Sequence, residues 1–223
     1  MRRLFFLLVF GLTALSVRAE TPVILVFGDS ISAGYGLAHI DQGWVGMLRM
    51  KLKDEGYGYE VINASVTGET TAGGLARLPH ALSVHHPRIV IIELGGNDGL
   101  RALPIDQMRA NLATMVDLSV SAGARVLLLG IRIPPNYGPE FTEKFRAVFP
   151  AVAEEKKIPL VPFLLADIAL SPDLMQADGM HPNELGQPIL LANVWPSLKA
   201  MLHSNPPAGK VPSPRARTLG HSS

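Results

Sequence analysis

The chain has 223 residues, enough for one domain with a well-filled core. Its composition is 48% apolar and 17% charged, which excludes wholesale disorder, and a formal net charge of +1 leaves no electrostatic footprint for nucleic acid. Cysteine is absent, which excludes a disulfide framework, a thiolate zinc site and a cysteine nucleophile.

Arg2 and Arg3 precede an apolar stretch from Leu4 to Leu15, followed by Val17-Arg18-Ala19 with small residues where a signal peptidase reads. This is the three-part layout of a secretory signal, and the stretch is well short of the roughly 20 residues needed to cross a bilayer. Cleavage after Ala19 would remove Arg2, Arg3 and Arg18 and shift the net charge from +1 to −2. No cysteine follows the stretch, so a lipoprotein anchor is excluded. The expected organisation is a signal over residues 1–19, a folded domain over 20–203 and a tail over 204–223. The tail is rich in proline and serine, carries Lys210, Arg215 and Arg217, and lacks periodic apolar residues, so it is expected to stay disordered. The expected location is periplasmic or secreted.

The middle alternates regularly. Val23 to Phe27 is a continuous apolar run, and Trp44 to Leu52 has apolar residues at helical spacing. Tyr59 to Ala64 reads as a strand and Thr71 to Leu82 as a helix. Arg88 to Leu94 is a buried strand, followed by a helix from Ile105 to Ala122 that stops at Gly123. Val126 to Ile131 is another apolar strand. Glu140 to Lys156 is helical, with Pro150 expected to break or kink it. Leu160 to Phe163 reads as a short strand, and Glu184 to Leu202 as a last helix whose start is blurred by Pro188. Unbroken strands separated by helices predict a parallel sheet covered on both faces, here a three-layer α/β/α domain with five strands.

Four polar clusters lie at or soon after strand ends, or before the last helix: Gly28-Asp29-Ser30, Asn63 to Gly68, Gly95-Gly96-Asn97-Asp98 and Asp178-Gly179-Met180-His181-Pro182. In an open α/β sheet they can converge on the face where ligands bind. Ser30 offers a nucleophile, His181 a base and Asp178 an orienting carboxylate, which is the minimum for acyl transfer through a serine. The spacing from Asp178 to His181 lets the carboxylate reach the imidazole Nδ1–H and leaves Nε2 for the serine proton. Gly68 can present its N–H closely to a substrate, and Asn97 adds a side-chain donor, so both are candidates for an oxyanion hole. Each has a blander reading: helix N-cap for Ser30, positive-φ turn for Gly68, capped loop for Asn97, surface loop for His181. Asp29 is too near Ser30 in sequence to orient His181 and reads as a structural hydrogen-bonder beneath the loop. Gly28-Asp29-Ser30-Ile31-Ser32 is not the G-x-S-x-G elbow of α/β-hydrolases, which needs glycine at position 32. A metal site is not expected, because His39, His80, His85, His86, His203 and His221 lack paired ligand spacing. His85-His86, before Pro87, reads as a helix end.

Taken in order, the four clusters resemble the four blocks of the SGNH hydrolases, also called GDSL lipases. The resemblance covers roughly residues 22 to 202. The longer strings Gly28 to Gly34, Asn63-Ala64-Ser65 with Gly68-Glu69-Thr70, Gly74 to Pro79 and Glu93 to Arg101 are most similar to its periplasmic branch of thioesterases, lysophospholipases and arylesterases. The resemblance implies a Ser30–His181–Asp178 triad, and an oxyanion hole from Ser30 N–H, Gly68 N–H and the Asn97 side chain. It also implies a flavodoxin-like sheet and no cofactor. Glu69 departs from the aspartate that often follows the glycine in close relatives. Leu100, Leu103, Pro104, Ile133, Pro134, Pro135 and Tyr137 lie in loops expected to border the site and line an acyl groove. Residues 99–104 resemble the branch's mobile substrate loop. The expected substrates are small-molecule or lipid acyl esters, including aryl esters, thioesters and lysophospholipids. The protein is expected to be a monomer without stable membrane insertion. Two other readings stand beside this one. A polysaccharide O-acetylesterase would use the same triad but want an aromatic sugar platform, and only 6% of the chain is aromatic. A non-catalytic flavodoxin-like binder would need no Asp178–His181 pair, and the chain holds no G-x-x-x-x-G-K-[ST] phosphate loop.

Overall fold

The computed structural model describes residues 21–203. The expected signal over 1–19 and the expected tail over 204–223 lie outside the described residues.

Five strands form one parallel sheet: β1 (Val23–Gly28), β2 (Glu60–Asn63), β3 (Ile89–Glu93), β4 (Arg125–Leu129) and β5 (Leu160–Val161). Their spatial order is β2-β1-β3-β4-β5. Ile24, Leu25, Val26 and Phe27 of β1 and every residue of β3 are fully buried, as a sheet covered on both faces requires. The cover comes from α2 (Trp44–Asp54) and α7 (Gln187–His203) on one face, packed on each other. On the other face α3 (Thr71–His85) packs on α5 (Ile105–Ser121), which packs on α6 (Pro139–Lys156). This division follows from right-handed crossovers: the chain moves one way from β1 to β2, then reverses past β1 to β3 and beyond. The reversal places the switch point between β1 and β3. Two short helices, α1 (Ser30–Ala33) and α4 (Gly96–Leu100), spring from the ends of these two strands. Among the described residues, no helix is long and apolar enough to cross a membrane.

The sheet, its strand number and the five long helices match the expectation from apolar periodicity, with shifts at the ends. The expected break at Pro150 does not occur, because α6 runs continuously from Pro139 to Lys156. Pro150 is exposed, so the carbonyl freed four residues earlier turns toward water. Pro79 in α3 and Pro196 in α7 are accommodated in the same way. The last helix starts at Gln187 rather than Glu184. Asn183 Oδ1 instead accepts the N–H groups of Leu185 and Gly186 in a tight turn. The first helical turn closes on the Gly186 carbonyl, leaving Pro188 where no N–H is needed. β5 stops at Val161, since Pro162 has no N–H to continue the ladder. His86 ends α3 in a left-handed conformation (φ 41°), its N–H donating to Leu82 O.

A carboxyl sits where the apolar sheet should continue. Glu93, the last residue of β3, is fully buried opposite Gly28. Its Oε2 accepts the Ser32 hydroxyl at 2.7 Å and the Asp29 N–H at 3.2 Å, while Oε1 has no hydrogen-bond partner. A Cβ at position 28 would lie 2.6 Å from Glu93 Oε2, so glycine is required there. Burial, and then the neighbouring Asp29 charge, push the Glu93 carboxyl well above its ordinary range. Asp29 is itself raised to about 6, chiefly by burial and against the Ile31 N–H that its carboxylate accepts. In the unfolded chain both groups ionise near pH 4. Their folded-state values lie above that, so their contribution to stability declines as pH rises through about 6 for Asp29 and higher for Glu93. Glu93→Gln keeps the shape and an acceptor oxygen but cannot ionise. Its melting temperature should fall less between about pH 5 and pH 8 than that of the unaltered chain, a comparison calorimetry can make. An unchanged pH dependence would show that Glu93 ionises in the fold without penalty.

Candidate active site

Ser30 is the first residue of α1, only 8% exposed, immediately past the β1 end. Asp29 caps this helix: its Oδ1 accepts Ile31 N–H at 3.1 Å and its Oδ2 accepts Asn97 Nδ2 at 3.1 Å. Asp29 is therefore the structural hydrogen-bonder the sequence suggests, and Ser30 is not the cap. Gly34, at φ 77°, turns the chain out of the helix and returns its N–H to Ser30 O. Because Ser30 stands in the first turn, no carbonyl within α1 claims its own N–H.

His181 reaches Ser30 from the long connection between β5 and α7. Its Nε2 lies 2.9 Å from Ser30 Oγ, and its Nδ1 lies 2.6 Å from Asp178 Oδ2. The other Asp178 oxygen accepts the backbone N–H groups of Met180 at 2.9 Å and His181 at 3.0 Å, so the carboxylate is held at both ends. Gly179 supplies the positive φ (65°) that closes this turn. Burial opposes ionisation of Asp178, but the hydrogen bonds from the His181 ring and from the two N–H groups prevail and lower it to about 2. An antiparallel bridge from Met175 to Pro182 closes the base of the loop, and Gln176 N–H donates to His181 O at 2.8 Å. Gln176 Nε2 donates to Tyr35 O and to Pro182 O, tying the histidine loop to the segment after Ser30. The Tyr35 ring lies 4.7 Å from the imidazole, centroid to centroid, and tilted by 46°. Neither Tyr35 nor Gln176 stands out in the sequence, since their role depends on two loops meeting across 141 residues of chain.

Gly68 sits in the turn between β2 and α3 with φ 77°, a conformation that favours glycine. Only the Arg101 guanidinium approaches where its side chain would be, and Arg101 Nη2 donates to Gly68 O at 3.0 Å. Asn97, half-buried in the first turn of α4, gives one Nδ2 hydrogen to Asp29 and keeps a second. Ser30, Gly68, Asn97, Asp178 and His181 therefore all stand at the C-terminal edge of the sheet around its switch point, where open α/β sheets bind ligands.

The expected groove residues divide. Leu100, Leu103 and Tyr137 are half-buried and Pro134 is exposed, and the Tyr137 hydroxyl donates to Leu100 O at 2.7 Å, joining the two loops. Ile133, by contrast, is only 8% exposed and belongs to the core. It fills the space beside Phe145 that a side chain at Gly99 would otherwise occupy. A cleft of about 750 Å³ lined by Arg132, Phe163, Leu165, Asp167, Leu170 and Asn193 opens at the end of β5, and no triad residue lines it. Among the described residues, no group of three or more His, Cys, Asp or Glu could hold a metal ion.

Residues 26–189 match the model of the GDSL-like lipase/acylhydrolase family. The chain is 52% identical over 192 residues to esterase TesA of Pseudomonas aeruginosa, covering 86% of this chain and 95% of that one. It is 41% identical over 185 residues to thioesterase 1/protease 1/lysophospholipase L1 of Escherichia coli, covering 83% and 86% of the two chains. Its fold is similar to the crystal structure of the psychrotrophic esterase EstA from Pseudoalteromonas sp. inhibited by monoethylphosphonate. That likeness has a TM-score of 0.78 and 42% identity, over 82% of this chain and 99% of the other. With the match spanning most of the folded region and all four polar clusters, the chain belongs to the GDSL-like lipase/acylhydrolase family.

Proposed function

We propose that this protein is a serine esterase that hydrolyses acyl esters through a covalent acyl-enzyme. The observation that carries this reading is the continuous line from Asp178 Oδ2 to His181 Nδ1 at 2.6 Å and from His181 Nε2 to Ser30 Oγ at 2.9 Å. A serine hydroxyl is a weak nucleophile until a base takes its proton as the new bond forms. His181 Nε2 is within hydrogen-bond reach of that proton. Asp178, ionised at any pH where the enzyme would work, holds the imidazole in the tautomer with Nδ1–H and stabilises the imidazolium that follows.

Ser30 Oγ attacks the ester carbonyl, and the carbonyl oxygen becomes an oxyanion facing Ser30 N–H, Gly68 N–H and the second Nδ2 hydrogen of Asn97. The imidazolium then gives its proton to the departing alcohol, leaving the acyl group on Ser30. A water molecule, deprotonated by His181 in turn, attacks this acyl-enzyme, and the imidazolium returns that proton to Ser30 Oγ as the carboxylic acid leaves. Leu100, Leu103, Pro134 and Tyr137 offer an apolar wall for the acyl chain, and the Tyr35 ring packs beside His181. Aryl esters, acyl thioesters and lysophospholipids are the substrate classes supported by relatives named arylesterase and thioesterase 1/lysophospholipase L1 and by this wall. An export signal over residues 1–19 would place the enzyme in the periplasm or outside the cell, out of reach of cytosolic acyl-CoA.

A fluorophosphonate probe should add once, on the peptide that holds Ser30. Ser30→Ala should lose both the adduct and ester hydrolysis with its melting temperature nearly unchanged, and activity near the unaltered level would remove Ser30 as nucleophile. The kcat/KM for a p-nitrophenyl ester should rise with pH across the range where histidine titrates, about pH 5 to 8, because the neutral imidazole is the base. Asp178, lowered to about 2, is fully ionised throughout that range, so its contribution would be lost only in strong acid. A profile flat across that range would remove His181 as the base.

A further inference from the structure

The two outer oxyanion donors stand on separate pieces of the chain, Gly68 on the turn before α3 and Asn97 on α4. Such donors work only when held near 3 Å from a common point, and an error of about 1 Å can cost roughly 100-fold. The turn around Gly68 is anchored on its far side to β1 and α3. Val66 N–H donates to Gly28 O, and Glu69 pairs with Arg77 at 2.6 Å. Its spacing from α4 has a different origin. Asp98, the neighbour of Asn97, is 4% exposed and turns its carboxylate to the first residue of α3. One oxygen accepts Thr71 N–H at 2.8 Å and the other accepts the Thr71 hydroxyl at 2.5 Å. The Thr71 oxygen in turn accepts Asn111 Nδ2 at 3.0 Å, and Asn111 Oδ1 accepts Gln107 Nε2 at 2.9 Å. The chain of bonds therefore continues into α5 and fixes the Thr71 rotamer. A second contact joins the same two pieces nearer the surface, Arg101 Nη2 to Gly68 O.

We infer that Asp98, bound to Thr71 and assisted by Arg101, is a positioning residue that sets the distance between the Gly68 and Asn97 oxyanion donors. Asp98 touches no reacting atom. The inference rests on the assignment of Gly68 and Asn97 to the oxyanion hole. A carboxylate suits the task because it accepts from both Thr71 donors at once in a buried place, and it also faces the positive end of α3. An amide would leave one of the two donors facing N–H.

A double-mutant cycle tests this, with kcat taken per fluorophosphonate-titratable site so that misfolded material does not count. Asp98→Asn should lower kcat for a p-nitrophenyl ester by about 10- to 100-fold with KM changed little, since the loss is felt by the transition state. Asn97→Ala should lower kcat by about 10²–10³. In the Asn97→Ala background, Asp98→Asn should cost much less, because the donor it positions is already gone. Thr71→Val should behave like Asp98→Asn and Thr71→Ser like the unaltered chain. Arg101→Met, at an exposed position, should reduce kcat without moving KM even if Asp98→Asn fails to fold. If Asn97→Ala leaves kcat unchanged, the oxyanion assignment falls and the inference with it. If Asn97→Ala is impaired while Thr71→Val and Arg101→Met keep full kcat, or if the Asp98→Asn loss is undiminished beside Asn97→Ala, the assignment stands and the positioning role is overturned.

Discussion

Everything at the catalytic edge hangs on the parallel pairing of β1 with β3, which runs in register from Ile24 and Ile89 to Gly28 and Glu93. These are two neighbouring interior strands of the sheet, buried on both faces, and their ends diverge because the chain winds in opposite directions from them. One end delivers Ser30 and the other Asn97. Their separation is therefore set by a ladder of backbone hydrogen bonds across a closed core rather than by a loop. A site mounted in this way is rigid without needing its own hydrophobic interior.

The cost of placing polar groups there is visible directly beneath the nucleophile. Asp29 and Glu93 both lie in the dry layer under α1, and burial raises both. Glu93 holds the loop from below through Ser32 and the Asp29 N–H, and Asp29 links the start of α1 to Asn97. An apolar pair would pack at least as well, but it could not accept the N–H groups that a sharp strand-to-helix turn leaves open. The buried carboxyls are best understood as backbone acceptors that exact a pH-dependent penalty in stability.

The site is assembled by cross-links between loops. Gln176 joins the histidine turn to the Tyr35 segment, Tyr137 joins the loop after β4 to the end of α4, and Asp98 and Arg101 join α4 to the Gly68 turn. Asp178 differs in kind. Its partners all lie within three residues, so the carboxylate, the two N–H groups and the imidazole form a nearly self-contained turn. That local closure is why Asp178 and His181 are readable as a pair from their spacing alone.

Strand number, the five long helices and the parallel arrangement were legible because buried strands and amphipathic helices leave apolar patterns along the chain, whereas the short helices α1 and α4 leave none and read as loops. The four polar clusters were legible because each breaks such a pattern, three after strand ends and the fourth before the last helix. The sequence could not show that Pro150 is tolerated inside α6, since that depends on which face of the helix meets water. Nor could it show that Ile133 turns into the core behind Gly99, or that Glu93 lies beneath Ser32. By itself the sequence determined which residue types carry the chemistry and which short turns hold them, because those follow from spacing and local hydrogen bonding. Only the tertiary structure decided what stands beside what: Tyr35 against His181, Asp98 against Thr71, Glu93 under Gly28. Those contacts join residues 27 to 146 positions apart, and their geometry comes from the packing of the sheet and its two helical layers rather than from any local preference of the chain.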